Sequence, residues 1–203
     1  MASIPKKEWG KVGKLYQSGQ PMRAVAEHYG VSIDAVTYVL RKISVPRRSF
    51  SEANRLKFEA KPPSFTVRAQ TNKELEIIGA MLYWAEGYKR ETACGIDFAN
   101  SDPDMALLFL QFLCARYILD KKRLYFSIYH YSDQNIEQLI ALWCQKLGTI
   151  PKQFKNHYMR QDPKTNGRKL SYGVLHIRYN DKKLLRDVLN LIDSYKLQYA
   201  SVG

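Results

Sequence analysis

Apolar positions at helical spacing organise the first forty residues. Val12, Leu15 and Tyr16 share one face and predict a helix that ends near Gly19. Pro21 suits the opening of the next helix, where a first-turn residue has no intrahelical partner for its N–H. Residues 22–29 continue as that helix, Gly30 stops it, and Ser32 caps a third helix reaching about Arg41. Two short helices crossing near a right angle need a small residue at their contact, a residue tolerant of positive φ at the turn, and apolar inner faces. Ala26 is the small residue and Gly30 the turn, while Val25, Tyr29, Val31, Val36 and Val39 supply the faces. The spacing predicts a helix-turn-helix. The other use of such a pair is a protein–protein hairpin.

In a helix-turn-helix the second helix enters the major groove and reaches base edges from its N-terminal half. Its outward positions are Ser32, Ile33, Asp34, Thr37, Tyr38 and Arg41. Of these, Ser32, Thr37, Tyr38 and Arg41 are the candidates for base or phosphate contact, with Lys42 beside them. Asp34 fits better as a partner of the helix N-terminus than as an acceptor for cytosine. Pro46-Arg47-Arg48 then suits an extended arm along phosphates or in a minor groove, and equally a solvated linker. Residues 51–60 fit a short helix capped by Ser51. Lys61-Pro62-Pro63-Ser64 interrupts helix and strand alike, which sets a boundary near 60–72.

From Lys73 onward helices and strands alternate. Leu75, Ile78, Ala80, Met81 and Leu82 mark an apolar helix up to Gly87, and a short strand follows at 95–99. After a turn at 100–102, residues 105–117 read as a helix and 123–131 as an aromatic-rich strand. Residues 135–147 form a helix stopped by Gly148. Strands at 153–160 and 171–179 flank a polar loop, and a last helix runs from Asp181 to about Tyr195. This order predicts an α+β domain with a mostly antiparallel sheet. The expected organisation is a helix-turn-helix domain over 1–48, a basic linker over 49–72, and an α+β domain over 73–203.

Charge sharpens the functional reading. Among 203 residues, 32 Lys and Arg against 19 Asp and Glu leave a formal charge of +13, a surplus that attracts polyanions. The excess is densest at residues 1–70, where thirteen basic side chains face five acidic ones. Cys94, Cys114 and Cys144 are odd in number and lie far apart, so neither a zinc ribbon nor a disulfide framework is expected, and a reducing cytoplasm is. His28, His130, His157 and His176 form no metal-spacing cluster. No apolar run reaches membrane-spanning length. There is no phosphate-binding glycine loop, nucleophile elbow or HExxH.

One segment carries a family resemblance. Ile77-Ile78-Gly79-Ala80-Met81-Leu82-Tyr83-Trp84-Ala85-Glu86-Gly87-Tyr88 is an apolar helix ending in an acid and a glycine, and Ile96-Asp97-Phe98-Ala99-Asn100-Ser101-Asp102 follows as strand and helix start. Over about 73–198 this resembles the LAGLIDADG homing endonucleases and their non-cutting relatives. The resemblance implies that two such helices pack together, that Glu86 occupies the position of the cation-holding acid, and that a curved antiparallel sheet straddles the duplex. Met81 and Trp84 stand where the family favours a small residue and an acid. One motif means one such acid per chain, so cutting both strands would require a homodimer and Mg²⁺ held by Glu86. On a DNA-binding sheet, Lys121, Lys122, Arg123, Lys152, Lys155, Arg160, Arg168, Lys169 and Arg178 would contact phosphates. Tyr125, Tyr129, Tyr131 and Tyr158 are interleaved with them. The leading expectation is a cytoplasmic, nucleoid-associated protein that binds double-stranded DNA sequence-specifically, a transcriptional regulator that needs no cofactor for binding. The alternative is a homodimeric endonuclease.

Overall fold

A computed structural model describes residues 3–161 and 170–200. The chain divides after Pro62 into two compact units. The first unit is all helical, with α1 (Trp9–Gln17), α2 (Met22–Tyr29), α3 (Ile33–Lys42) and α4 (Phe50–Ala60). Val12, Tyr16, Val25, Ala26, Val36, Val39 and Leu40 close a core between the first three helices. Gly30 sits at φ 62°, a left-handed turn that glycine adopts without steric cost. Its neighbour Val31 donates to the Ala26 carbonyl at 3.0 Å. Ser32 Oγ accepts from the Ala35 N–H at 3.2 Å and so caps α3. At the far end Ser44 takes φ 56°, and Val45 donates to the Leu40 carbonyl at 2.9 Å, turning the chain back.

Helix α4 begins two residues earlier than a Ser51 cap would place it. Ser49 and Glu52 form a capping box in which each side chain accepts the other's backbone N–H. The Ser49 N–H and hydroxyl both hold the Glu52 carboxyl below its ordinary range. None of the α4 residues is buried.

The second unit is mixed α+β. It runs β1 (Phe65–Val67), α5 (Lys73–Glu86), β2 (Ile96–Asn100), α6 (Pro103–Arg116), β3 (Tyr117–Leu119), β4 (Leu124–Tyr131), α7 (Ile136–Leu147), β5 (Tyr158–Arg160), β6 (Val174–Tyr179) and α8 (Lys182–Tyr199). The main sheet has the order β2-β6-β4-β5. Its β2–β6 and β6–β4 pairs are antiparallel, and β4–β5 is parallel. Strand alternation sends Phe98, Leu175, Ile177, Phe126 and Ile128 to the helical side, where they pack with Tyr83, Phe109, Phe112, Trp143 and Val188. Phe98 and Phe109 stack with centroids 4.2 Å apart.

Three departures from the sequence expectation have local causes. The predicted strand over 153–160 keeps only its last three residues. Pro151 opens a 3-10 turn, and Asn156 sits at φ 56°, which breaks extended backbone. The ribbon of β1 and β3 is too short for its alternation to be visible in the sequence. Helix α8 continues to Tyr199, past the expected end near Tyr195. No helix among the described residues is long and apolar enough to cross a membrane.

Candidate nucleic-acid interface

Helix α3 is held by its inner face: Val36, Val39 and Leu40 are buried. Tyr38, Arg41 and Lys42 on the opposite side are exposed. Tyr38 meets the edge of Trp9 at 6.2 Å, and the Lys42 ammonium lies 5.5 Å from its ring centroid. These contacts fix the ring without covering it. Thr37 donates its hydroxyl to the Ile33 carbonyl at 3.0 Å, which leaves the oxygen as an acceptor. Ser32 is committed to its cap. Thr37, Arg41 and Arg47 share the wall of a hollow of about 550 Å³ between the end of α3 and the arm that follows.

Arg48 requires a correction. A free arm would present it to phosphates, but its guanidinium lies 4.0 Å from the Tyr16 ring centroid and donates to the Gly19 and Gln20 carbonyls at 3.3 and 3.0 Å. Its backbone N–H donates to the Tyr16 hydroxyl at 2.8 Å. The arm is folded onto α1, and only Arg47 points its charge outward. The aromatic face and the two carbonyl acceptors hold the guanidinium at this position.

In the second unit, the sheet face turned away from the helices is polar and aromatic. Register aligns Asp97, Arg178 and Tyr125 across three strands, then Ala99, His176 and Ser127. Asp97 accepts from His176 Nδ1 at 2.8 Å and from Arg178 Nε at 3.0 Å. Arg178 also donates to the Tyr129 hydroxyl at 3.2 Å. Burial alone would lower the Arg178 pKa, but Tyr129 and Asp97 hold it above its ordinary value. Arg178 is therefore a charged member of a fixed cluster, with part of its fork engaged within the sheet.

Other predicted cations divide. The Lys155 ammonium sits 4.2 Å from the Tyr125 ring centroid, and Arg160 lies 5.6 Å from that of Tyr129, both at the β4–β5 edge. Tyr158 is exposed beside them. Lys152 is exposed in the 3-10 turn. Arg123 turns elsewhere: it donates to the Asn180 carbonyl at 2.7 Å and pairs with Asp120 at 3.6 Å, fastening the end of the sheet. Arg168 and Lys169 lie outside the described residues. Asp97 and His176 were not among the sequence candidates. Alternation with buried Ile96 and Phe98 marks Asp97 as outward, but its partner 79 residues away leaves no local trace.

Glu86 is exposed at the end of α5. Immediately beyond it the Lys89 ammonium donates to the Trp84 and Gly87 carbonyls at 2.9 and 2.8 Å, so a cation already occupies the negative end of this helix. Among the described residues no group of three His, Cys, Asp or Glu is placed to hold a metal. Glu86 therefore belongs to no such group within the described part of one chain. Trp84 is not wedged into a helix crossing of this chain; it is exposed, with the Lys196 ammonium 4.9 Å from its ring centroid. Comparisons with protein-family models, with curated proteins and with solved structures give no match to this chain.

Proposed function

We propose that this protein is a sequence-specific double-stranded-DNA-binding protein, acting as a transcriptional regulator. In this reading α3 lies in the major groove, with Thr37, Tyr38 and Arg41 toward base edges and Arg47 toward the backbone. The basic and aromatic sheet face lengthens the footprint through Lys155, Arg160 and Arg178. The observation that carries the reading is the division of α3 into a fully buried apolar face and an exposed face holding Tyr38, Arg41 and Lys42. That supported helix sits in a unit with a large basic surplus, as a groove-reading helix requires.

The test is to incubate the protein with fragmented genomic DNA from its source in Mg²⁺ and sequence the retained fragments with their ends. Intact fragments sharing an internal motif are expected. Fragment ends accumulating at one sequence would replace the regulator reading with a nuclease. On the retained motif, Arg41→Ala is expected to raise Kd about tenfold, the effect of one lost base or phosphate contact. If the contact is to phosphate, the slope of log K against log salt should also shrink by about 0.9. Full affinity in that variant would remove the assignment of α3. Glu86→Ala is expected to leave Kd within about twofold of wild type, since one exposed rim charge contributes little. A large change in filter-binding affinity, or loss of a cutting activity, would restore Glu86 to a central role.

A further inference from the structure

Between the helix-turn-helix and α4 the first unit encloses a second hollow, of about 530 Å³, within the range of small-ligand sites. Met22, Ile33 and Leu56 give it apolar walls, Arg48 and Lys57 give it positive charge, and no acidic side chain lines it. Helix α4, which forms one side, buries none of its residues against the rest of the unit. The Nη2 nitrogen of Arg48 is buried and has no hydrogen-bond partner among the described residues, while Nη1 is engaged by the Gly19 and Gln20 carbonyls. A buried cationic donor left unpaired calls for an acceptor, and an anion is the strongest one.

We propose that this hollow binds a small amphipathic anion. Its apolar body packs against Met22, Ile33 and Leu56, and its charged head lies at Arg48 and Lys57. Charge complementarity selects the class: an apolar wall alone would accept a neutral hydrocarbon, whereas an acid-free, basic rim favours a negative head. The ligand would also touch the starts of both helices of the reading unit. Met22 opens α2, Ile33 opens α3, and the Thr37 hydroxyl lies 3.7 Å from the Met22 sulfur. Occupancy therefore alters the support of the reading helix, and by linkage any effect of the ligand on DNA affinity equals the effect of DNA on ligand affinity. This coupling rests on the DNA-reading assignment of α3; ligand binding itself does not.

The experiment titrates decanoate, below its micelle concentration, into the full-length protein while following methionine methyl NMR signals. The Met22 methyl should shift and saturate, and decanol should bind roughly tenfold more weakly because it lacks the charge. Leu56→Glu should abolish the shift. Lys57→Glu, at an exposed position, should weaken decanoate without a change in melting temperature, which guards against a Leu56 variant that fails to fold. An unmoved Met22 signal, equal affinity for decanol, or wild-type decanoate binding in Lys57→Glu would each overturn the site. On the retained DNA motif, saturating decanoate should shift Kd in wild type and not in Lys57→Glu; an unchanged Kd would overturn the coupling. Absence of DNA binding without decanoate would instead count against the reading of α3.

Discussion

Replacing Glu76 with Ala is expected to destabilise the second unit by about 3 kcal/mol, the cost of leaving a buried ion pair with one partner missing. Glu76 is 4 % exposed, although it lies in the first turn of α5, where a glutamate normally faces water. Its Oε1 accepts from the Tyr195 hydroxyl at 2.7 Å and from the Lys73 ammonium at 3.1 Å. Its Oε2 accepts from the Thr71 hydroxyl at 3.1 Å and from Arg116. Arg116 in turn donates to the Tyr117 hydroxyl at 3.0 Å, and that hydroxyl donates to Asp187 at 2.7 Å. One carboxylate thus ties α5 to α6 and α8.

The pH dependence follows from the same contacts. Burial pushes the Glu76 pKa up, but the Tyr195 hydroxyl, Lys73 and Arg116 outweigh it and hold the carboxyl below its ordinary range. A carboxylate with a depressed folded pKa contributes stability above its unfolded pKa and loses it as pH falls through the folded value. Asp181, held low by the Ser64 hydroxyl and N–H against the upward push of burial, behaves in the same sense. Urea denaturation at pH 7 and at steps toward pH 3 should show a steep acid loss in wild type and a shallower one in Glu76→Ala. Unchanged stability in Glu76→Gln at pH 7 would show that shape, not charge, holds the three helices.

How far the sequence reveals this molecule depends on how local each cause is. The turn at Gly30 and the cap at Ser32 are legible because each satisfies backbone groups within five residues. The helices of the second unit are legible from their long apolar periodicity. Arg48 is not, since its ring partner Tyr16 lies 32 positions earlier and nothing in Pro46-Arg47-Arg48 distinguishes the engaged arginine from the exposed one. The role of Glu76 is not legible either, because its partner Tyr195 lies 119 positions away. The same holds for the Asp97–His176–Arg178 cluster. Cross-strand register brought those residues together, and register is set by the whole sheet. The candidate reading face of α3 was visible early because a helix's two faces are encoded in its own ten residues.

The second large effect concerns Gly79. Gly79→Ala is expected to destabilise the second unit by about 3 kcal/mol, at the upper end of overpacking costs, even though alanine is the better helix former by about 1 kcal/mol. The clash decides the sign. A β-carbon on Gly79 would stand 2.0 Å from Phe112 Cγ, and the Phe112 ring has nowhere to go. It is fully buried, with Phe109 at 5.8 Å and Tyr117 at 6.1 Å between ring centroids. The small residue in Ile77-Ile78-Gly79-Ala80 therefore serves the close approach of α5 to α6 within this chain. Chemical denaturation of Gly79→Ala, Phe112→Leu and the double variant separates the causes. If the crossing is limited by this one contact, the double variant should be more stable than the sum of the single losses predicts, with a coupling of about 1 kcal/mol or more. Strict additivity would mean that α5 and α6 can slide apart to admit a methyl group, and the tight crossing would then have no part in fixing where Glu76 meets Arg116.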